Sequence, residues 1–556
     1  MKRVGVLLNS KSCTVYLYDT VRELSHCEEI QLYYLLEEPS PNHGFWTRVQ
    51  TINRNKGLPG LLNLIFFTTL ATVEWTLYSV FINRTSDHRR KCSLEGLGRV
   101  EDVFIEPIFS RSKQLVYYSN ESIEKLGKLK LDIMLRGNAR GIFRGKILTT
   151  AKNGILSFHH GDNRWNRGGP PAFWEVYGRK LTTGFVLQLL TENLDGGTIL
   201  FRGNFTTRRS FIENEVNLYK ESNPYLASIV LEFAMEGRFP ESEENAIFSN
   251  EILKTPTVWQ SLLYLWSTFW VFCKLLIERM VFRKHNRWSV AYIFSKGENA
   301  ELRKGTIVQN PPNRFFADPF VVTSNNRTIC FVEDYSFSDQ RGKISAIEIF
   351  DKDNYEVLGP IITEPFHMSF PFVFEFEDKL YMTPETVEEQ SIRLYVCVDF
   401  PRKWEFVREI MTQVNAVDPI IFEMSDTWWL FVNEAAKGCS DRNAKLMAYS
   451  SNDPTKGCWE PHSLNPILFD SETGRNGGLL QCSGGRVIRC RQKQGFNNYG
   501  ESLSLAIVTE LSNGKFSEKQ LAIVEPNFFP NIKGCHHIHN SHNCVVYDFC
   551  RSETLV

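Results

Sequence analysis

The chain opens on a short, nearly continuous apolar run from Val4 to Leu8, then the helix-like stretch TVYLYDTVREL and a second run, IQLYYLL. Apolar runs of strand length separated by helix-length segments predict the start of a parallel α/β unit. The pattern resumes at 132–200. DIMLRGN and GILSFHHGDN read as strands whose polar residues gather at their C-terminal ends, where parallel sheets place their ligands. A Gly-Gly-Pro-Pro turn then leads into a short helix, and FVLQLLTENLDGGTIL predicts strand, tight turn at Asp195, strand. No G-x-G-x-x-G follows the first strand, which argues against a dinucleotide site.

Two stretches are apolar for longer. Residues 61–83 carry Glu74 inside the run, and 257–283 contain Lys274, Glu278 and Arg279. A bilayer span needs about 20 largely uncharged residues. A buried or partner-facing helix, a membrane-surface helix and a span are the three readings, and the charges disfavour the last. After residue 287 the texture changes to paired strands: FFADPFVV with CFVED, SFPFVFEFEDKLYMTPE, VDPIIFEMSDTWWLFVNE, GGLLQCSGGRVIRCRQ and HHIHNSHNCVVYDF. Strand-only units recurring at this spacing predict a five-bladed propeller over 287–556 rather than a β-sandwich. The predicted order is therefore an α/β domain over 1–245, a helical connector over 246–286, and the propeller.

Length and composition fit this division. At 556 residues the chain exceeds a single core, and 42% hydrophobic with 23% charged residues is ordinary for globular protein. A net charge of -1 gives no global case for nucleic acid. The 13 cysteines include no C-x-x-C pair, so free thiols and a cytoplasmic protein are expected, with membrane association through 61–83 or 257–283 left open.

The segment 154–200 carries a resemblance. It shows Gly154-Ile-Leu-Ser-Phe-His159, then Arg167-Gly168 with Pro171 and Trp174, then Thr183-Gly184, then Leu194-Asp195-Gly-Gly-Thr-Ile-Leu200. In order and spacing this resembles the folate-dependent formyltransferases over roughly residues 1–210. The resemblance implies a Rossmann-like fold and formyl transfer from 10-formyltetrahydrofolate to an amine, on an amino sugar or sugar nucleotide. His159 would stabilise the tetrahedral intermediate, and Asp195 would orient His159 and help remove the amine proton. Ser157 stands where that family has an oxyanion-donating asparagine, and one such donor is worth about 10²–10³ in rate. Arg136, Gly137, Asn138, His160, Arg167 and Gly168 would line the folate and substrate site. The family's Pro-Ser-Leu-Leu-Pro loop is replaced by His160-Gly-Asp-Asn-Arg-Trp165. Methionyl-tRNA formylation is the less favoured acceptor choice. A glycan-binding or scaffold protein with a decayed transferase site is the alternative from another class.

The second half resembles the N-terminal domain of glucosamine inositolphosphorylceramide transferases and, through it, five-bladed glycosidase propellers. The matching residues are Ala317-Asp318-Pro319-Phe320, Phe370-Pro371-Phe372, Tyr381 to Glu385, Phe400 to Trp404 and Val417-Asp418-Pro419. The resemblance implies a funnel carrying Asp318, Glu385 and Asp418, read as sugar-binding in preference to hydrolytic. Trp428 and Trp429 are the candidates for stacking on a pyranose. In the Cys535–Cys544 segment, alternation puts 535, 537 and 539 on one strand face, and channel-facing histidines are preferred to a metal cluster.

Overall fold

The computed structural model describes residues 1–38, 45–82, 89–98, 100–110, 114–193, 196–243, 250–295, 300–435, 441–482 and 485–554. The chain divides into two units, Met1–Val271 and Phe272–Val556.

The first unit is built on a seven-stranded sheet. Its strands are β1 (Lys2–Leu8), β2 (Ile30–Glu37), β3 (Glu101–Ile105), β4 (Ile133–Arg136), β5 (Ile155–His159), β6 (Thr182–Leu189) and β7 (Thr198–Thr206). They lie in the order β7-β6-β5-β4-β1-β2-β3. The five from β5 to β3 pair in parallel, while β6 and β7 run antiparallel at one edge. Strands covered on both faces must be apolar throughout, which explains the unbroken run Val6-Leu7-Leu8, all fully buried. One face packs on α1 (Val15–Ser25) and α6 (Pro224–Glu236) through Val21, Leu24, Val230 and Phe233. The other receives Leu126 of α3 (Asn120–Leu129) over Leu7, Leu35 and Met134.

A third core lies off the sheet. It joins α2 (Phe45–Leu77), the short α4 (Phe173–Tyr177), α5 (Phe211–Ser222) and α7 (Val258–Leu276) through Phe67, Leu70, Phe173, Phe211 and Tyr264. Helix α2 is kinked at Gly57, whose φ of 64° suits glycine, with Pro59 following. Glu74 pins it in place: its carboxylate accepts from the backbone N–H of Ile212 at 2.9 Å and from the Tyr264 hydroxyl at 2.8 Å. Gly57–Phe81 and Val258–Val281 are each long and apolar enough to cross a membrane, yet only 17% of each apolar window is buried.

The second unit consists of five antiparallel sheets. Their innermost strands are β8 (Arg314–Ser324), β9 (Ser369–Phe376), β10 (Ala416–Met424), β11 (Arg475–Cys482) and β12 (Ile538–Ser541). Each touches the next, and β12 touches β8, so the ring closes as a five-bladed propeller. The closing blade takes strands from both ends of the unit: Lys284–Phe294 pairs with Cys544–Thr554 along its whole length. A bulge interrupts each of the first four inner strands, at Ala317/Phe320, Ser369/Phe372, Val417/Ile420 and Asn476/Leu479. Within the first three, Asp318, Phe370 and Asp418 adopt φ of 49°, 45° and 52°. Bulges of this kind re-aim side chains, and left-handed backbone costs an L-residue about 1–2 kcal/mol. The Asp-Pro repeat in the sequence is the signature of this device.

Candidate functional site

In the first unit the sheet order reverses between β1 and β4, which leaves a crevice beyond their C-terminal ends. A cavity of 2210 Å³ opens there, and its walls include Asn9, Arg136, Gly137, Ser157, His159 and His160. Gly137 is required by close approach, since a Cβ would stand 2.8 Å from the Leu7 carbonyl oxygen. Asn138 closes the crevice floor: its amide oxygen accepts from Asn9 N–H at 2.8 Å and its amide nitrogen donates to the carbonyls of Ser10 and Ser12. Arg136 donates to the carbonyl of Gly141 and lies over the Phe143 ring. Arg167 and Gly168 pair with Ile252 and Leu253 as a two-residue parallel bridge.

Two of the three residues expected to act on a formyl group are turned to backbone. The Ser157 hydroxyl donates to the Phe158 carbonyl at 3.1 Å, and His159 Nε2 lies 2.9 Å from the carbonyl of Asn166. Because the acceptor is a carbonyl, that nitrogen carries the proton. His160 stacks on Phe158 at 4.8 Å and meets the Tyr219 ring at a tilt at 4.5 Å, and burial lowers its pKa to about 3, helped by His159 and Arg136. It is neutral at physiological pH. Asp195 falls outside the described residues.

The second unit gathers charge at its centre. Five carboxylates, those of Asp318, Glu333, Glu385, Asp418 and Asp548, act on one another there. Arg475 donates to Asp418 at 2.6 Å and lies over the Tyr499 ring. Gln492 also reaches the Asp418 carboxylate, and Asn476 donates to its backbone carbonyl. Asp548 sits against His536 Nδ1 at 2.6 Å and accepts from the backbone N–H groups of His536 and His537. His536 stacks on Trp288 with ring centres 3.7 Å apart, and its Nε2 is 3.7 Å from Asp318.

Burial drives the electrostatics. It raises the Asp318 carboxyl to about 7, with Asp548 and Asp418 adding to the rise and His536 opposing it. It likewise raises Glu385 to about 8, reinforced by a hydrogen bond with Asp418, and lifts Glu333 well above the carboxylate range. Burial disfavours a charged His536, but Asp548 overrides that and raises its pKa. The ligand atoms of Asp318, His536 and Asp548 lie within 4.8 Å of one another, close enough to share a cation. Glu385 is half-buried and Tyr499 is 43% exposed, so the cluster meets solvent on their side.

Asp318, Glu385 and Asp418 are thus brought together as their sequence pattern predicts. Sequence reasoning missed Glu333, Arg475, Tyr499 and Asp548. The available signal for Asp548 was a lone carboxylate inside the apolar strand CVVYDF; the fourth blade carries Gly477-Gly478 where earlier blades carry Asp-Pro, and Arg475 stands two residues before it. Of the two tryptophans, Trp428 is half-buried against Phe374 and Phe376, and Trp429 is buried in the core and so cannot present a face to a sugar. Cys535 donates to the Val524 carbonyl, and His539 Nδ1 accepts from the Val321 N–H, so neither is presented with His537 as a ligand set.

Residues 300–540 match the family described as "Glucosamine inositolphosphorylceramide transferase 1, N-terminal". A relative from Oryza sativa subsp. japonica, glucosamine inositolphosphorylceramide transferase 1, is 30% identical over 210 residues, 37% of this chain and 28% of the relative. The chain thus matches little more than a quarter of that relative's length. Among solved structures, the catalytic domain of a Coprinopsis cinerea GH62 α-L-arabinofuranosidase is 16% identical, covering 48% of this chain and 86% of its own, with a TM-score of 0.33. A glycinamide ribonucleotide transformylase from Symbiobacterium toebii is 14% identical, covering 44% and 92%, with a TM-score of 0.27. Scores at this level identify neither a fold nor an activity.

These matches overturn the expectation of formyl transfer. The family and the curated relatives are glucosamine inositolphosphorylceramide transferases. With that expectation go the formyltransferase assignment, the methionyl-tRNA variant and 10-formyltetrahydrofolate as donor. The geometry gives a physical reason in the same direction: the Ser157 hydroxyl, the expected oxyanion donor, is spent on the Phe158 carbonyl.

Proposed function

We propose that this protein recognises a glycan bearing a basic amino sugar, and that the centre of its propeller does the recognising. The observation that carries this reading is the excess of acid: five carboxylates stand against Arg475 and His536. An ammonium group offers three donors and a positive charge, and hydrogen bonds to ionised acceptors are roughly twice as strong as neutral ones. The relative's name supplies glucosamine, an amino sugar, as the chemistry to try first. Tyr499 supports it further, as an exposed aromatic ring beside the carboxylates on which a pyranose face can rest. Glu385 is the carboxylate best placed to meet the ligand, being half-buried where its neighbours are sealed.

The test is ligand-observed NMR with glucosamine on the whole chain. Wild-type protein gives saturation transfer to the sugar ring protons. Glu385→Gln, which keeps the shape but cannot ionise to meet an ammonium group, weakens binding about tenfold, or ~1.4 kcal/mol. Equal transfer from wild type and variant would remove Glu385, and with it the acidic centre, from the account.

A further inference from the structure

Helices α2 and α7 lie side by side in the first unit and leave one face uncovered. The backbone N–H of Val258 donates to Asn63 Oδ1 at 2.9 Å, and Tyr264 reaches Glu74, so the two helices run in the same direction. Away from that seam, α7 exposes Trp259, Leu262, Leu263, Trp266, Phe269 and Trp270, a stripe at helical spacing. Helix α2 adds Leu62, Ile65, Val73 and Leu77. Contiguous apolar surface of this kind marks an interaction site.

Two further observations say what covers it. The exposed hydroxyls of α2 do not face outward for water. Thr68, Thr69, Thr72 and Thr76 each donate to the carbonyl four residues back, at 2.7 to 2.9 Å. Hydroxyls satisfied inside their own helix suit a non-aqueous surround, where no water is available to do it. The second observation is charge. Arg89, Arg90 and Lys91 are exposed, and Arg89 lies 4.7 Å from the centre of the Trp75 ring on α2, which places a basic corner beside the apolar face. Tryptophan with neighbouring Arg and Lys is the composition of a bilayer interface.

We propose that this face lies flat in the surface of an anionic lipid bilayer and does not cross it. Topology excludes crossing by α2. The strands before and after it, β2 and β3, are hydrogen-bonded to each other in register, Tyr33 with Glu101 through Glu37 with Ile105. A spanning α2 would separate those partners or force irregular backbone back through hydrocarbon, where its polar groups find no partners.

The test uses the full chain and sedimentation with vesicles of phosphatidylcholine, with and without phosphatidylserine. Binding is expected to vesicles containing phosphatidylserine and to weaken with salt. The pair Trp266→Asp with Phe269→Asp, both at exposed positions, lowers binding by about tenfold or more. The pair Arg90→Glu with Lys91→Glu lowers binding to the anionic vesicles alone. Carbonate at high pH releases the bound protein. The proposal is overturned by absent vesicle binding, by unchanged binding of the tryptophan–phenylalanine pair, or by resistance to carbonate, which would mean crossing. It is equally overturned by light scattering that shows a dimer dissolved by the same pair without any vesicle binding.

Discussion

Asp318 and Glu385 carry the pH dependence of the propeller. In the unfolded chain such groups titrate near the usual carboxylate range, about 4. In the folded unit burial holds them at about 7 and about 8. The folded state therefore binds more protons than the unfolded state between those limits. Their contribution to stability is complete below the unfolded value and is lost as pH rises through 7 and 8. Thermal unfolding of the second unit, followed by calorimetry, is expected at lower temperature on the alkaline side of that window than on the acid side. Asp318→Asn, which cannot ionise, flattens the dependence. A melting temperature that rises across the window would contradict the assignment. Ligand binding has the opposite sign, because the carboxylates must be ionised to hold a cation, so amino-sugar affinity rises with pH until the sugar's own ammonium group titrates.

At the scale of elements, the third core of the first unit depends on one carboxylate. Removing Glu74 leaves the Ile212 N–H and the Tyr264 hydroxyl without their acceptor in a buried seam. Glu74→Ala is expected to cost about 2–4 kcal/mol in chemical denaturation, from stranded donors and a cavity together. Tyr264→Phe is costly too, because the same hydroxyl accepts from the buried Phe211 N–H at 2.8 Å and the change strands that donor along with the Glu74 carboxylate. If Glu74→Ala were neutral, the helix pair would be held by its apolar contacts alone. These elements differ in how readable they were. The strands β1, β2, β4 and β5 stand in the sequence because parallel strands buried on both faces must be continuous apolar runs. The inner strands of the propeller are legible through Asp318-Pro319, Phe370-Pro371 and Asp418-Pro419, since a bulge with left-handed backbone recurs with its sequence. Partnership was not legible. Ser157 reads as a substituted oxyanion donor, and nothing in its neighbours says that its hydroxyl turns to the Phe158 carbonyl. Trp428 and Trp429 read as a sugar platform, but which side of a blade is covered depends on Phe374 and Phe376, some 50 residues earlier.

For the whole molecule, a net charge of -1 conceals strong local separation. Acid collects at the propeller centre, where Arg475 and His536 offset it only in part. Base collects at Arg89–Lys91 beside an apolar helix face. A balanced total excludes a global attraction to polyanions, but it is silent about surfaces of this size, and those surfaces carry both proposals. The most direct measurement is calorimetric titration of the full chain with glucosamine and with N-acetylglucosamine, which share a pyranose ring and differ in the charge on nitrogen. An acidic centre predicts binding of glucosamine at least about tenfold tighter, a difference of ~1.4 kcal/mol or more. Equal affinity for the two sugars, or preference for the acetylated one, would contradict it.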